Sequence, residues 1–162
     1  GEKKLPSFFI HDLRKVFKKN YFDVALNLFT SFGYFEDEKD DLKVLRAVHS
    51  ELKNEGVFVL DFMNVKKAIL RIKCKEIKIL EGKKFKIARS FRNGFIIKSI
   101  QVENKIFEER VKALTLKDFK KLFLNTGFKI KRIFGDYDLS NFDAENSERL
   151  IIVGEKEGRK WD

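Results

Sequence analysis

Two stretches that are apolar almost throughout, Phe22 to Thr30 (FDVALNLFT) and Val57 to Phe62 (VFVLDF), flank a single amphipathic segment. A strand with apolar residues on both faces has to be covered on both, which is the situation of a parallel sheet between helix layers. Between them, Leu42, Leu45, Val48 and Leu52 fall on one helix face, with Asp40 or Asp41 as the expected N-cap and Gly56 as the stop. Strand, short helix and strand in about 40 residues make a βαβ unit, which puts the chain in the α/β class.

After Asn64 the pattern changes. Ile72 to Leu80, Lys84 to Phe91, Phe95 to Val102 and Lys105 to Leu114 are short β-prone runs, several of them alternating polar with apolar. They are separated by Glu81-Gly82, Asn93-Gly94 and Glu103-Asn104, and Asn-Gly between two such runs is the strongest local hairpin signal. An antiparallel meander over Ile72 to Ala113 with one wet, basic face is expected. Thr115 with Asp118 three residues on resembles a capping box, with Asp in place of Glu or Gln. Leu116, Phe119, Leu122 and Phe123 then form a helix face that Gly127 ends, and Phe128 to Phe134 and Leu150 to Val153 read as the final strands. Ser7 to Asp12 (SFFIHD) is a short apolar run that reads as a further strand.

With 162 residues the chain is expected to form one domain, 1–162, able to bury its own core. Its parts are 1–21, 22–64, 65–114, 115–155 and a frayed tail, 156–162. No apolar run approaches the roughly 20 residues needed to cross a bilayer, and no signal peptide is visible. The single Cys74 excludes an internal disulfide and fits a cytoplasmic location. Gly1 in place of Met suggests a processed or truncated start. The net charge of +10 is concentrated: eleven basic residues against Glu76 and Glu81 lie between Lys66 and Arg92, which leaves +9 there. Such a segment either steers an anionic partner such as RNA or a small acidic molecule, or is the solvated face of a lysine-rich sheet.

SFGYFEDEKDDLKVLRAVHSELKNEGVFVLDFMN resembles the fourth-strand loop, fourth helix and fifth strand of class I S-adenosylmethionine-dependent methyltransferases, and TLKDFKKLFLNTGFKIKRIFGDYDLSNFD with RLIIVGEK is similar to their last helix and closing hairpin. A meander before the last helix occurs in a small-molecule branch of that family. The resemblance runs from about Phe8 to Glu155 and departs at LKNEG, where the family commonly has LKPGG. It implies a truncated Rossmann-like sheet that retains the family's fourth, fifth, seventh and sixth strands, with the antiparallel meander inserted. The glycine-rich turn that holds the cofactor is not found among these residues, so the fourth strand, Phe22 to Thr30, is expected to be an exposed edge available for a homodimer or swapped assembly.

The same resemblance implies roles for a few residues. Asp12 and Leu13 correspond to the acid and backbone amide that contact the adenine; Asp12 as a simple turn cap is the alternative. Asn27 and Leu28 correspond to positions facing the methionine part of the cofactor, against which stands an Asn bonded to its own backbone. Phe32, Tyr34 and Phe35 belong to the loop where substrate contact is expected, beyond the carboxyl end of a strand; with 18 phenylalanines in the chain, an aromatic cluster is also ordinary core. Arg110 corresponds to an Arg at the mouth of the site, or is a solvated strand charge. His49 is expected as a surface or half-buried helix residue, and no histidine or cysteine cluster suggests metal. Methyl transfer from a sulfonium needs alignment in a dry pocket more than proton chemistry, so no catalytic pair is expected. The implied activity is methyl transfer to a small anionic or RNA substrate. A basic nucleic-acid-binding module and one subunit of a split methyltransferase are the alternatives.

Overall fold

The computed structural model describes residues 5–72 and 75–157; Gly1, Cys74 and the tail from Gly158 lie outside them. Four strands make the main sheet: β1 (Phe22–Asn27), β2 (Leu52–Met63), β7 (Phe128–Phe134) and β8 (Arg149–Lys156), in the order β1-β2-β8-β7. β1 runs parallel to β2, and β8 is antiparallel to both β2 and β7. Alternation along β2 turns Phe58, Leu60 and Phe62 to one face, where helices α1 (Glu38–Glu51) and α3 (Leu116–Leu124) close over them. Phe58 stacks on Phe123 with centroids 5.9 Å apart and Phe62 meets Phe119 edge-on at 5.0 Å, so the core is an aromatic seam between β2 and α3.

The other face of β1 is open. Val24 and Leu26 are 52% and 61% exposed, and β1 is the edge strand. The expectation of cover on both faces therefore fails for β1: helices lie on one side only of the part of the sheet that it forms. The expected edge is present. No strand forms at Ser7 to Asp12, where Phe8 and Ile10 are fully or almost fully exposed; an apolar run with no neighbour to pair with has no reason to become one.

Helix α1 begins earlier than expected. Asp37 is its N-cap, accepting from Lys39 N, while Asp41 is turned inward. The helix also ends before Gly56, which instead sits in an irregular stretch of β2, where Phe22 pairs with Leu52 but Val24 with Val57. A Cβ at Gly56 would lie 2.8 Å from the Lys53 carbonyl, which is why that position carries none. A short helix, α2 (Val65–Leu70), follows β2 and has no counterpart in the sequence expectations.

The meander is β3 (Glu76–Leu80), β4 (Lys83–Arg92), β5 (Phe95–Val102) and β6 (Lys105–Lys112), each antiparallel to the next. Asn93 and Gly94 both have positive φ, 50° and 79°, as a two-residue turn of matched twist requires. The basic face takes another form than expected. Lys84, Lys86 and Arg92 project from one side and Lys83, Arg89 and Lys98 from the other, as alternation dictates, and Arg89, Lys98 and Lys83 pair with Glu76, Glu109 and Glu103. The capping box is present as read: Thr115 accepts from Asp118 N while the Asp118 carboxylate accepts from Thr115 N at 2.8 Å.

Candidate functional site

The carboxyl ends of β1 and β2 lie side by side, Asn27 opposite Leu60 in the parallel ladder. From Asn27 the chain makes a sharp departure: Phe29 and Thr30 both adopt the left-handed conformation, with φ of 57° and 61°. Two consecutive side-chain-bearing residues in that region carry a cost of about 1–2 kcal/mol each, so something must hold them. Asp61 does. Its Oδ2 accepts from Phe29 N at 2.8 Å and its backbone carbonyl accepts from Thr30 N at 3.0 Å.

Asp61 is 1% exposed, and a buried carboxylate needs its own donors. Arg149, at the start of β8, supplies Nε at 2.7 Å to Oδ1 and extends Nη2 to the Thr30 hydroxyl at 3.2 Å. Tyr137, in the loop between β7 and β8, donates its hydroxyl to Oδ2 at 3.0 Å. Burial, and then the bond to Asp61, push the Tyr137 phenol above its usual value. None of these three residues was expected from sequence. The available signal was a single acid inside the apolar run VFVLDF, which a strand buried on both faces tolerates only when the charge is paired.

Asn27 is held at one end only. Its side-chain N–H donates to Ser31 O at 3.3 Å, whereas its Oδ1 is buried with no hydrogen-bond partner. A buried amide oxygen left unpaired costs about 1–3 kcal/mol, and Asn27 is the last residue of β1, at the end of the sheet where α/β proteins bind ligands. Leu28 is 37% exposed beside it.

The other expected residues are distributed around this end. Phe32 is 3% exposed and packs on Phe119 at 5.8 Å, so it supports the loop from beneath. Gly33 O receives Lys112 N at 2.8 Å, which ties the loop to the end of the meander. Tyr34 is half exposed, its phenol pushed up by partial burial and by the charge of Glu109. Arg110 lies over the Phe95 ring at 4.9 Å and binds Glu36 at 2.6 Å, next to that loop. Asp12 caps its own turn: Arg14 donates to it from both backbone and guanidinium at 3.0 Å, holding the carboxyl down at about 2. Arg14 continues to Asp40 at 3.2 Å and covers the Phe35 ring at 5.0 Å, so Asp12 is joined to the loop through Arg14. Leu13 is 51% exposed. His49 is half-buried, edge-on to Phe128 at 5.2 Å, and burial lowers its pKa. Among the described residues no group of acids, histidines and cysteines is placed to hold a metal.

No family model matches this sequence, and no curated protein does. Solved structures match its fold. A S-adenosylmethionine-dependent methyltransferase from Clostridium acetobutylicum superposes with a TM-score of 0.82 at 18% identity, over 95% of this chain and 66% of the other. A sugar N-methyltransferase from a Streptoalloteichus species gives 0.70 at 16% identity, over 91% and 61%. An amino pentose methyltransferase from Micromonospora echinaspora, solved with its cofactor bound, gives 0.60 at 15% identity, over 90% and 63%. The chain thus spans about two thirds, or somewhat less, of the chains that it resembles. Over nearly its whole length it has the class I methyltransferase fold, in the truncated Rossmann-like form with a meander inserted.

Proposed function

We propose that this chain forms the methionine-side wall and the substrate loop of a S-adenosylmethionine-dependent methyltransferase acting on a small polar molecule. The observation that carries this reading is Asn27, whose buried Oδ1 lacks a donor at the carboxyl end of β1 in a fold shared with such enzymes. The cofactor's ammonium is a donor of the required kind, and Leu28 offers an apolar surface beside it. When bound, the cofactor supplies the methyl group on a sulfonium that carries its own leaving group. The residues of this chain then hold and exclude: Asp61, Arg149 and Tyr137 fix the loop, and Tyr34 and Arg110 line its outer side. Alignment is most of the work in such a transfer. Pairing of Arg89, Lys98 and Lys83 with neighbouring acids, and the spread of basic residues over both meander faces, favour a small substrate over RNA.

Asp12 would reach an adenine amino group only by giving up part of its contact with Arg14. In this reading the glycine-rich turn comes from sequence outside these 162 residues or from another chain, laid along β1. The open edge, with Val24 and Leu26 exposed, supports such an addition or a pairing of two copies.

Calorimetric titration of S-adenosylhomocysteine into the chain, and into the chain joined to a strand-turn-helix segment bearing a glycine-rich turn, tests the proposal. Weak or absent binding by the first and binding by the second, reduced about tenfold by Asn27→Ala, is expected. Tight binding by the chain alone would remove the incomplete-site reading; no binding by either would remove the methyltransferase reading. Light scattering that returns a monomer at working concentration counts against pairing through β1.

A further inference from the structure

Where α1 and α3 start, a cleft of about 280 Å³ opens between them and the end of β6, lined by Glu36, Glu38, Asp41, Lys112, Asp118 and Lys121 together with Leu114 and Leu122. In a chain of net charge +10 this is a place where carboxylates outnumber ammonium groups, four to two, and adding Arg110, which pairs with Glu36 at its rim, still leaves an excess of one acid. Three of the acids are matched: Glu36 with Arg110, Glu38 with Lys121 at 3.2 Å, and Asp118 with Thr115 in the capping box. The fourth is not fully matched. Asp41 is 1% exposed, and its Oδ2 accepts from Lys112 Nζ at 2.5 Å, but its Oδ1 is buried without a partner.

A buried carboxylate with one free oxygen in a net acidic cleft calls for an N–H donor, and a charged one in preference to a neutral one, because charge-assisted bonds are the stronger kind. The cleft has several times the roughly 30 Å³ that a water molecule takes up in the liquid, so it has room for a small organic group beside the donor. Leu114 and Leu122 give it an apolar wall of the sort that covers a short carbon chain. We propose that this cleft binds a small molecule through a protonated primary amine, with Asp41 Oδ1 as the acceptor. Lys112 remains on Oδ2 and orients the carboxylate; Lys112 N is in turn fixed on Gly33 O, so occupation of the cleft is registered by the loop that carries Tyr34. The proposal goes beyond methyl transfer and needs no cofactor, so it stands or falls separately from that reading.

The test is a nuclear magnetic resonance titration of the 162-residue chain, without cofactor, with ethanolamine and in parallel with ethylene glycol, its neutral isostere. At tens of millimolar, ethanolamine is expected to shift the Asp41 carboxyl carbon and the Lys112 and Gly33 amides, and ethylene glycol to leave them in place. Asp41→Asn should abolish the ethanolamine response, while Lys121→Gln, a change at an exposed ammonium on the cleft wall, should strengthen it several-fold. Equal shifts from both compounds would mean a water or hydroxyl site only and would overturn the proposal. So would the absence of any ethanolamine shift, an unchanged response in D41N, or a response in K121Q no stronger than in the unaltered chain. Because K121Q alters no buried residue, it keeps the question open to measurement even if D41N does not fold.

Discussion

Asp61 and Arg149 meet on the same face of neighbouring antiparallel strands, the Arg149 Nε 2.7 Å and its Nη2 2.6 Å from one carboxylate oxygen. The register explains the contact: Met63 pairs with Arg149 and Asp61 with Ile151, so the two side chains are diagonal neighbours. The second carboxylate oxygen is left for Phe29 N and Tyr137. One buried acid thus links the end of β2, the start of β8 and the left-handed turn after β1. Asp61→Asn leaves Arg149 with no anion in a site where only a fifth of its side chain reaches solvent. A loss of about 3 kcal/mol is expected, together with a fall in Tm of roughly 6–12 °C by circular dichroism. Arg149→Met should cost a similar amount, and the double variant less than the sum, since neither charge is then stranded. Additive losses would mean that the pair is not the unit described.

Tyr137→Phe tests the third member. The acid keeps three other donors, so the loss is expected to be about 1 kcal/mol at neutral pH. The pH dependence is more telling. The phenol's folded pKa lies above the unfolded value of 10.0, so its contribution is fully present below pH 10 and is lost as pH rises through the folded value. Tyr34 is shifted in the same direction. Urea midpoints measured across alkaline pH should therefore fall less steeply in Y137F than in the unaltered chain, without becoming flat. An identical slope would show that Tyr137 ionises as freely folded as unfolded.

Local chemistry was legible in the sequence. Strand β7 and the hairpin at Asn93-Gly94 lie where apolar runs and turn residues put them, and the Thr115–Asp118 box caps its helix, because each of these depends on residues within a few positions. The order of elements also carried the fold. What could not be read depends on partners far along the chain. Among the acids of the run EDEKDD, Asp37 became the cap and Asp41 turned inward to Lys112, 71 residues away. Asp61 finds Arg149 at a separation of 88 residues. SFFIHD has the composition of a strand and lacks a neighbour, a distinction that no pattern within six residues can make. Asn27 and Leu28 were singled out by the family resemblance alone, and the unpaired Asn27 oxygen is a feature that only the structure shows.

Asp12 gives a prediction that needs only a spectrometer. Side-chain and backbone bonds from Arg14 hold its pKa at about 2, against an ordinary value of 3.8. The contribution of this contact is therefore present above pH 3.8 and is lost as pH falls through about 2. Because both groups are at the surface, the effect is best read from the titration itself. Carboxyl carbon shifts should place the Asp12 midpoint near 2 in the unaltered chain and return it toward 3.8 in Arg14→Ala. A midpoint that stays low in R14A would assign the shift to Lys15 and the turn backbone instead.

The packing of β8 against α3 leaves no room for a single methyl group at Gly154. A Cβ there would lie 2.6 Å from Phe123 Cε1 and 3.0 Å from Cδ1. Phe123 cannot swing aside: it is fully buried, with Phe58 and Phe128 at 5.9 and 5.4 Å. Gly154→Ala therefore forces either the strand or the helix to shift, and overpacking of this kind costs about 1–3 kcal/mol, or roughly 2–12 °C in Tm. Ala is otherwise an acceptable residue in a strand, so nothing else in the substitution predicts a loss of that size. The cause can be isolated by repeating it in a Phe123→Leu background, where the aromatic edge is gone. If the clash is the cause, G154A should cost markedly less there than in the unaltered chain; an equal cost in both backgrounds would place the reason for this glycine in the backbone of β8 itself.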